Sequence, residues 1–229
     1  MNKAAIEREA RKVQFEVWSR RKFLWPAGNP PIVAMFEPRI VAPILELEYE
    51  LREQIGADGP QRPGFEAAGL LDRRRRIVVI SSRFGYPTQR FTAAHEIGHY
   101  VLHPWIGDQT VHRDRAVDGA GSVGRAPIEQ EADYFAACLL VPLKLLEEQF
   151  FARFSSRKPL PLTETVAFHL GERDIGRLFA APTNSLTFAR LVARAESFDT
   201  KRFQSLADHF GVSVGALAIR LREAGLIVD

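Results

Sequence analysis

From the amino terminus, apolar side chains recur at Ile6, Ala10, Val13 and Val17, with arginine and glutamate between them. That three-to-four spacing predicts an amphipathic helix over residues 3–23, packed on the rest of the fold. Pro26, Pro30, Pro31, Pro38 and Pro43 then interrupt any long element and leave a connector with short helical pieces. The period next changes to two. Leu45, Leu47, Tyr49 and Leu51 alternate with Glu46, Glu48, Glu50 and Arg52, the pattern of a half-buried strand. After a Gly/Pro-rich loop at 56–64, runs at 65–71 and 76–81 read as two further strands of a small antiparallel sheet. The arginine run at 73–76 between them reads as a solvated hairpin turn, because four charges in a tight turn cannot all face one partner.

Helical spacing resumes after Pro87. Thr88 can cap a helix, Phe91, Ala94 and Ile97 mark its buried stripe, and it runs to about His103. Residues 104–126, rich in Gly, Asp and Arg with no apolar period, read as a surface loop long enough to be functional. Pro127 suits the first turn of a second helix, Ala132, Phe135, Ala136 and Leu139 give its buried stripe, and Pro142 ends it. Residues 143–198 are mostly helical, broken at Pro159, Pro161, Gly171 and Pro182. In the last segment Phe203, Leu206, Ala207 and Phe210 precede Gly211, and Val214, Leu217, Ala218 and Leu221 follow it. This is helix-turn-helix-like spacing with Ser213 as cap of the second helix. The first turn of that helix carries Val214, Gly215 and Ala216, poor base-reading chemistry, with Arg220 and Arg222 only near its end. A structural or protein-docking role therefore ranks ahead of DNA binding. The expected fold is α+β: a small antiparallel sheet packed on active-site helices, then a mostly helical carboxy-terminal part ending in the helix-turn-helix-like unit. The expected divisions are 1–142, 143–198 and 199–229.

Composition narrows the class. A chain of 229 residues with 46% hydrophobic and 26% charged residues is an ordinary globular protein, long enough for one main unit and an appendage. A net charge of +3 announces no strong nucleic-acid footprint. The lone cysteine, Cys138, excludes an internal disulfide framework and falls at helical spacing among core residues, as a buried thiol would. With neither an 18-residue apolar window nor a signal-peptide pattern at its start, the chain is expected to be cytoplasmic, with no membrane partner.

The strongest chemical signal is His95-Glu96-Ile97-Gly98-His99. Histidines at i and i+4 share a helix face, so both imidazoles can reach one ion, and Glu96 is placed to act as general base on a water at that ion. A catalytic zinc takes three protein ligands and leaves a fourth position to water, so a third ligand must come from elsewhere. On the second helix Glu129 and Asp133 lie at i and i+4 on one face, while Glu131 points away from it. Glu129 completes a His, His, Glu set for Zn2+, and Asp133 is suited to accept a hydrogen bond from a ligand histidine's other ring nitrogen. His103 lies too far along the helix from His95 for one ion to hold both, and Leu102 and Trp105 break the metzincin spacing. His112 reads as an ordinary surface histidine rather than a group that polarises a substrate carbonyl.

The segments Phe91-Thr92-Ala93-Ala94-His95-Glu96-Ile97-Gly98-His99-Tyr100 and Glu129-Gln130-Glu131-Ala132-Asp133-Tyr134-Phe135-Ala136-Ala137-Cys138-Leu139-Leu140-Val141-Pro142 resemble the ImmA/IrrE metallopeptidases, as does the hairpin ending in Ile77-Val78-Val79-Ile80. The resemblance covers roughly residues 65–142. It implies zinc on His95, His99 and Glu129, Glu96 as base, and a small sheet with gluzincin-like helices. It also implies an endopeptidase that cuts a helix-turn-helix (XRE-type) transcriptional repressor and so switches on gene expression. That family more often has Asn where this chain has Asp133. The alternative is a DNA-binding transcriptional regulator whose zinc site is structural or inactive. The strand at 76–81 is expected to offer an edge to an extended substrate.

Overall fold

The structure, a computed structural model, describes residues 1–55, 67–105, 111–114 (main chain), 125–182 and 185–228. They divide into two compact units, one reaching Leu140 and one running from Val141 onward. No helix among the described residues is long and apolar enough to cross a membrane.

The first unit opens with α1 (Lys3–Ser19), started by Asn2, whose side chain accepts from the Ala5 N–H at 3.2 Å. Its buried residues are Ile6, Ala10, Val13 and Val17, the stripe that the spacing predicts, but it ends at Ser19 and a separate turn, α2 (Arg21–Leu24), follows. The proline-rich connector forms α3 (Ile32–Met35) and α4 (Pro38–Ile44). Four strands then build one sheet: β1 (Glu48–Arg52), β2 (Gly69–Asp72), β3 (Ile77–Ser81) and β4 (Val111–Asp114), in the order β1-β3-β2-β4. β2 is antiparallel to β3, as expected of the hairpin, and also to β4. β1 runs parallel to β3, Glu48 opposite Ile77, so the sheet is mixed and not purely antiparallel. Alternation decides which face of a strand is buried but is the same for either direction of its neighbour. β3 is paired on both sides and every one of its residues is buried, so it offers no edge to a substrate. The outer strands are β1 and β4, and β4 lies in the stretch expected to be loop. Leu51, on outer strand β1, is 54% exposed.

The turn after β2 carries the arginine run, yet its first member is turned inward. Arg73 is 8% exposed and donates to the carbonyl oxygen of His99, with its guanidinium over the Tyr100 ring. A buried cation there adds a second donor to a carbonyl of the last helical turn, which also accepts from the His103 N–H at 3.2 Å. Arg76, at φ 53°, pairs instead with Glu46 at 2.6 Å.

Two helices complete this unit, α5 (Tyr86–Leu102) and α6 (Pro127–Leu140). α5 starts a residue before Pro87, after Gly85, so Thr88 lies inside the helix and does not cap it. It is buried without a break from Arg90 to His99, packed between β2 and β3 on one side and α6 on another. Arg90 is held by Glu37 at 2.6 Å, and Tyr86 donates to the same carboxylate at 2.5 Å. Burial, with Glu37 next, pushes the Tyr86 hydroxyl above its usual pKa. α6 packs on α5 and α1, and Gln14 of α1 donates to the Cys138 and Leu139 carbonyls, which the end of α6 leaves without helical partners. Gly98 allows the close approach of α5 and α6: a Cβ there would lie 3.1 Å from Phe135 Cδ1 and 3.2 Å from the Ala132 carbonyl oxygen.

The second unit is mostly helical: α7 (Leu143–Phe154), α8 (Glu164–His169), α9 (Ile175–Phe179), α10 (Thr187–Arg194), α11 (Leu206–Phe210) and α12 (Val214–Glu223). Short strand pairs join β5 (Leu160–Pro161) to β8 (Ile227–Val228) and β6 (Ser197–Phe198) to β7 (Lys201–Arg202). Phe150, Phe154, Phe198 and Phe203 form an aromatic cluster, with Phe154 5.3 Å from Phe198. α10 packs on α12. Gly211 takes the left-handed conformation at φ 59° between α11 and α12, and Ser213 accepts from the Ala216 N–H at 3.1 Å. Arg220 is only 4% exposed and its Nε donates to the Val141 carbonyl, so it is not presented to a nucleic acid.

Candidate metal centre

The i, i+4 spacing on α5 brings His95 and His99 together with their Nε2 atoms 2.9 Å apart and their rings nearly perpendicular. α6 supplies Glu129. Its Oε2 lies 3.2 Å from His95 Nε2 and its Oε1 3.4 Å from His99 Nε2. A tetrahedral ion with ligands at about 2.0–2.1 Å requires neighbouring ligand atoms about 3.3–3.4 Å apart. The three donors stand close to that spacing, and two imidazoles with one carboxylate are a donor set that could hold a metal ion. Burial alone pushes the Glu129 carboxyl up. The hydrogen bonds and charges of His99 and His95 outweigh it and hold the group below the ordinary carboxylate range.

Glu96, the residue after His95 on α5, is fully buried. Its room comes from β2, where a Cβ on Gly69 would fall 2.9 Å from Glu96 Oε1 and closer still to Thr92 Cγ2. Asp133, one helical turn beyond Glu129, has Oδ1 2.8 Å from His95 Nδ1. With Nε2 of His95 turned to the triad, Nδ1 carries the hydrogen and donates to that carboxylate.

Several residues around the triad escaped the sequence reading. Arg125 spans the two carboxylates of α6, with Nη2 3.2 Å from Glu129 Oε2 and Nη1 3.4 Å from Asp133 Oδ2. His103, set aside as a ligand, has Nδ1 3.1 Å from His99 Nδ1 and Nε2 3.2 Å from Glu131 Oε2. Burial lowers the His103 pKa, against the opposing effect of its hydrogen bond to Glu131. The signal was present in the sequence: His95, His99 and His103 continue one i, i+4 stripe, and Glu131 points away from Glu129. Cys138 is buried, as its place in the apolar stripe implied. His112 lies on β4 opposite Leu71, and its side chain is outside the described residues.

Residues 62–172 match the peptidase M78 family, described as the IrrE N-terminal-like domain. This segment is similar to the ImmA/IrrE family. The match takes in every residue of the triad together with Glu96, Asp133, His103 and Glu131. The chain is also similar to the radiation response metalloprotease IrrE of Deinococcus deserti, at 32% identity over 80 residues. That stretch is 35% of this chain and 27% of the relative, so the alignment spans about a quarter of the relative's length. The matched family is by its name a peptidase family.

Proposed function

We propose that this chain is a zinc-dependent endopeptidase of the ImmA/IrrE type, with His95, His99 and Glu129 as zinc ligands, Glu96 as general base and Asp133 orienting His95. The observation that carries the reading is the convergence of two imidazole nitrogens and a carboxylate from two helices at near-tetrahedral spacing, with a fully buried carboxylic side chain on the residue after His95. When bound, the ion would supply Lewis acidity, making water acidic enough to attack near neutral pH and polarising the peptide carbonyl. Glu96 takes the proton from the attacking water and returns it to the leaving nitrogen, a cycle that consumes no net acid or base. Asp133 fixes the tautomer of His95, and Arg125 neutralises part of the negative charge gathered by Glu129 and Asp133. β4 is an outer strand, and its Asp114 pairs with Gly69, the residue that abuts Glu96. An extended substrate would add to that edge, by main-chain hydrogen bonding.

We take the substrate to be a helix-turn-helix transcriptional repressor in the cytoplasm, a reading supported by the family resemblance and by the radiation-response metalloprotease among its relatives. The regulator alternative receives no support from Arg220, which is buried in its own unit. The deciding experiment compares the wild-type chain with Glu96→Gln, by metal analysis and by amino-terminal mapping of new protein fragments. Glu96→Gln should keep its zinc and lose cleavage by about 10²–10⁴-fold. Equal cleavage by both proteins would sink the proposal.

A further inference from the structure

We propose that His103 is a positioning residue for the metal centre, tying His99 to Glu131 through a hydrogen-bond chain that keeps the His99 Nε2 aimed at the ion. The inference rests on the metallopeptidase reading above and extends it to two residues that the reading leaves unused. Both rings are buried, His99 at 1% and His103 at 0% exposure. Their centroids are 5.2 Å apart at a 48° tilt, so the contact is edge to edge through the Nδ1 atoms rather than a stack. The Trp105 ring meets His103 edge-on, with centroids 5.2 Å apart.

The positions of the hydrogens follow from elementary acid–base rules. A ligating Nε2 uses its lone pair on the ion, so neutral His99 carries its hydrogen on Nδ1. That hydrogen points to His103 Nδ1, 3.1 Å away, which accepts it and is therefore bare. Neutral His103 therefore holds its own hydrogen on Nε2 and donates it to the Glu131 carboxylate at 3.2 Å, an acceptor when ionised. The chain thus satisfies both nitrogens of both rings. It also gives the two candidate ligands a common design: His95 reaches a carboxylate directly through Asp133, and His99 reaches one through a single intervening imidazole. A carboxylate at the far end makes the ligating nitrogen a better donor and locks the ring's rotation. A direct ligand role for His103 is excluded by geometry, since its Nδ1 faces the side of His99 opposite the donor triad.

Two measurements on the full chain test this. In a long-range proton–nitrogen correlation spectrum of the zinc-loaded protein labelled at histidine, His103 should show hydrogen on Nε2 and none on Nδ1, with scalar coupling between the two Nδ1 atoms. Hydrogen on His103 Nδ1 would overturn the proposal. In chelator competition, His103→Phe should raise the zinc dissociation constant by about 10–100-fold. His103→Gln, whose amide can both accept from His99 and donate to Glu131, should recover most of that loss. The unfolding midpoint of the metal-free proteins shows whether packing is retained, and the spectrum of the unaltered chain decides the matter if His103→Phe does not fold. An unchanged dissociation constant in folded His103→Phe refutes the role of His103 alone. A wild-type chain that takes up no zinc refutes the metallopeptidase reading and this inference with it.

Discussion

Gly98 sits within the histidine motif itself, and its missing side chain is what lets α6 approach α5 closely enough to deliver Glu129. Two of the three atoms nearest a hypothetical Cβ belong to the Ala132 main chain, at 3.2 and 3.3 Å, and cannot rotate away. Gly98→Val should therefore cost about 1–3 kcal/mol of stability by overpacking, and weaken metal binding by moving Glu129 outward. Denaturant unfolding and chelator competition check the two effects; if both are unchanged, α6 can shift without carrying Glu129 along. In the other unit His209 has its Nε2 buried without a hydrogen-bond partner, and burial, then the charge of Arg153, lowers its pKa below the ordinary 6.5. The unfolded chain then binds a proton more readily than the folded one. Stability from this site is whole above about pH 6.5 and falls as pH drops below it toward the folded pKa. His209→Phe should flatten that part of the curve of unfolding midpoint against pH; an identical slope would remove His209 as its source.

At the scale of elements, the start of α5 is fastened by charge rather than by a cap. Glu37, the residue before α4, receives both Arg90 and Tyr86 of α5, and Arg90 also donates to the Val33 carbonyl at 3.1 Å. Removing one partner of a buried pair strands the other in a medium that solvates it poorly. Glu37→Gln should thus destabilise the protein by about 3–5 kcal/mol, far more than the ~1 kcal/mol expected for Tyr86→Phe. Comparable losses from both, measured by urea unfolding, would show that Arg90 is not dependent on Glu37. The stripes of α1 and α6 were readable because each recurs within one helix. The anchoring of α5 was not, since the Glu37–Arg90 pair joins residues far apart in sequence.

Across the molecule, all three candidate ligands lie in the first unit, on α5 and α6. Zinc should stabilise that unit by mass action, by about 2.7 kcal/mol at a free concentration one hundred times the dissociation constant. Hydrogen exchange should slow across Ala93–Leu102 and Pro127–Leu140 on adding zinc and recover with a chelator. Protection spread equally through α7 to α12 would contradict a site confined to the first unit.

The sequence alone determined the period of α1, α5, α6 and the β2–β3 hairpin, and with it the α+β class and the placing of His95, His99, Glu129 and Asp133 on helix faces. These are consequences of 3.6 and 2.0 residues per repeat, which a single segment carries within itself. Tertiary structure alone decided what each face meets. It set β1 parallel to β3, took the edge away from β3 and turned Arg73 in toward the end of α5. It also joined Glu131 to His99 through His103 and placed Arg125 across Glu129 and Asp133. Those pairings depend on distances between elements, which packing sets and no local repeat records.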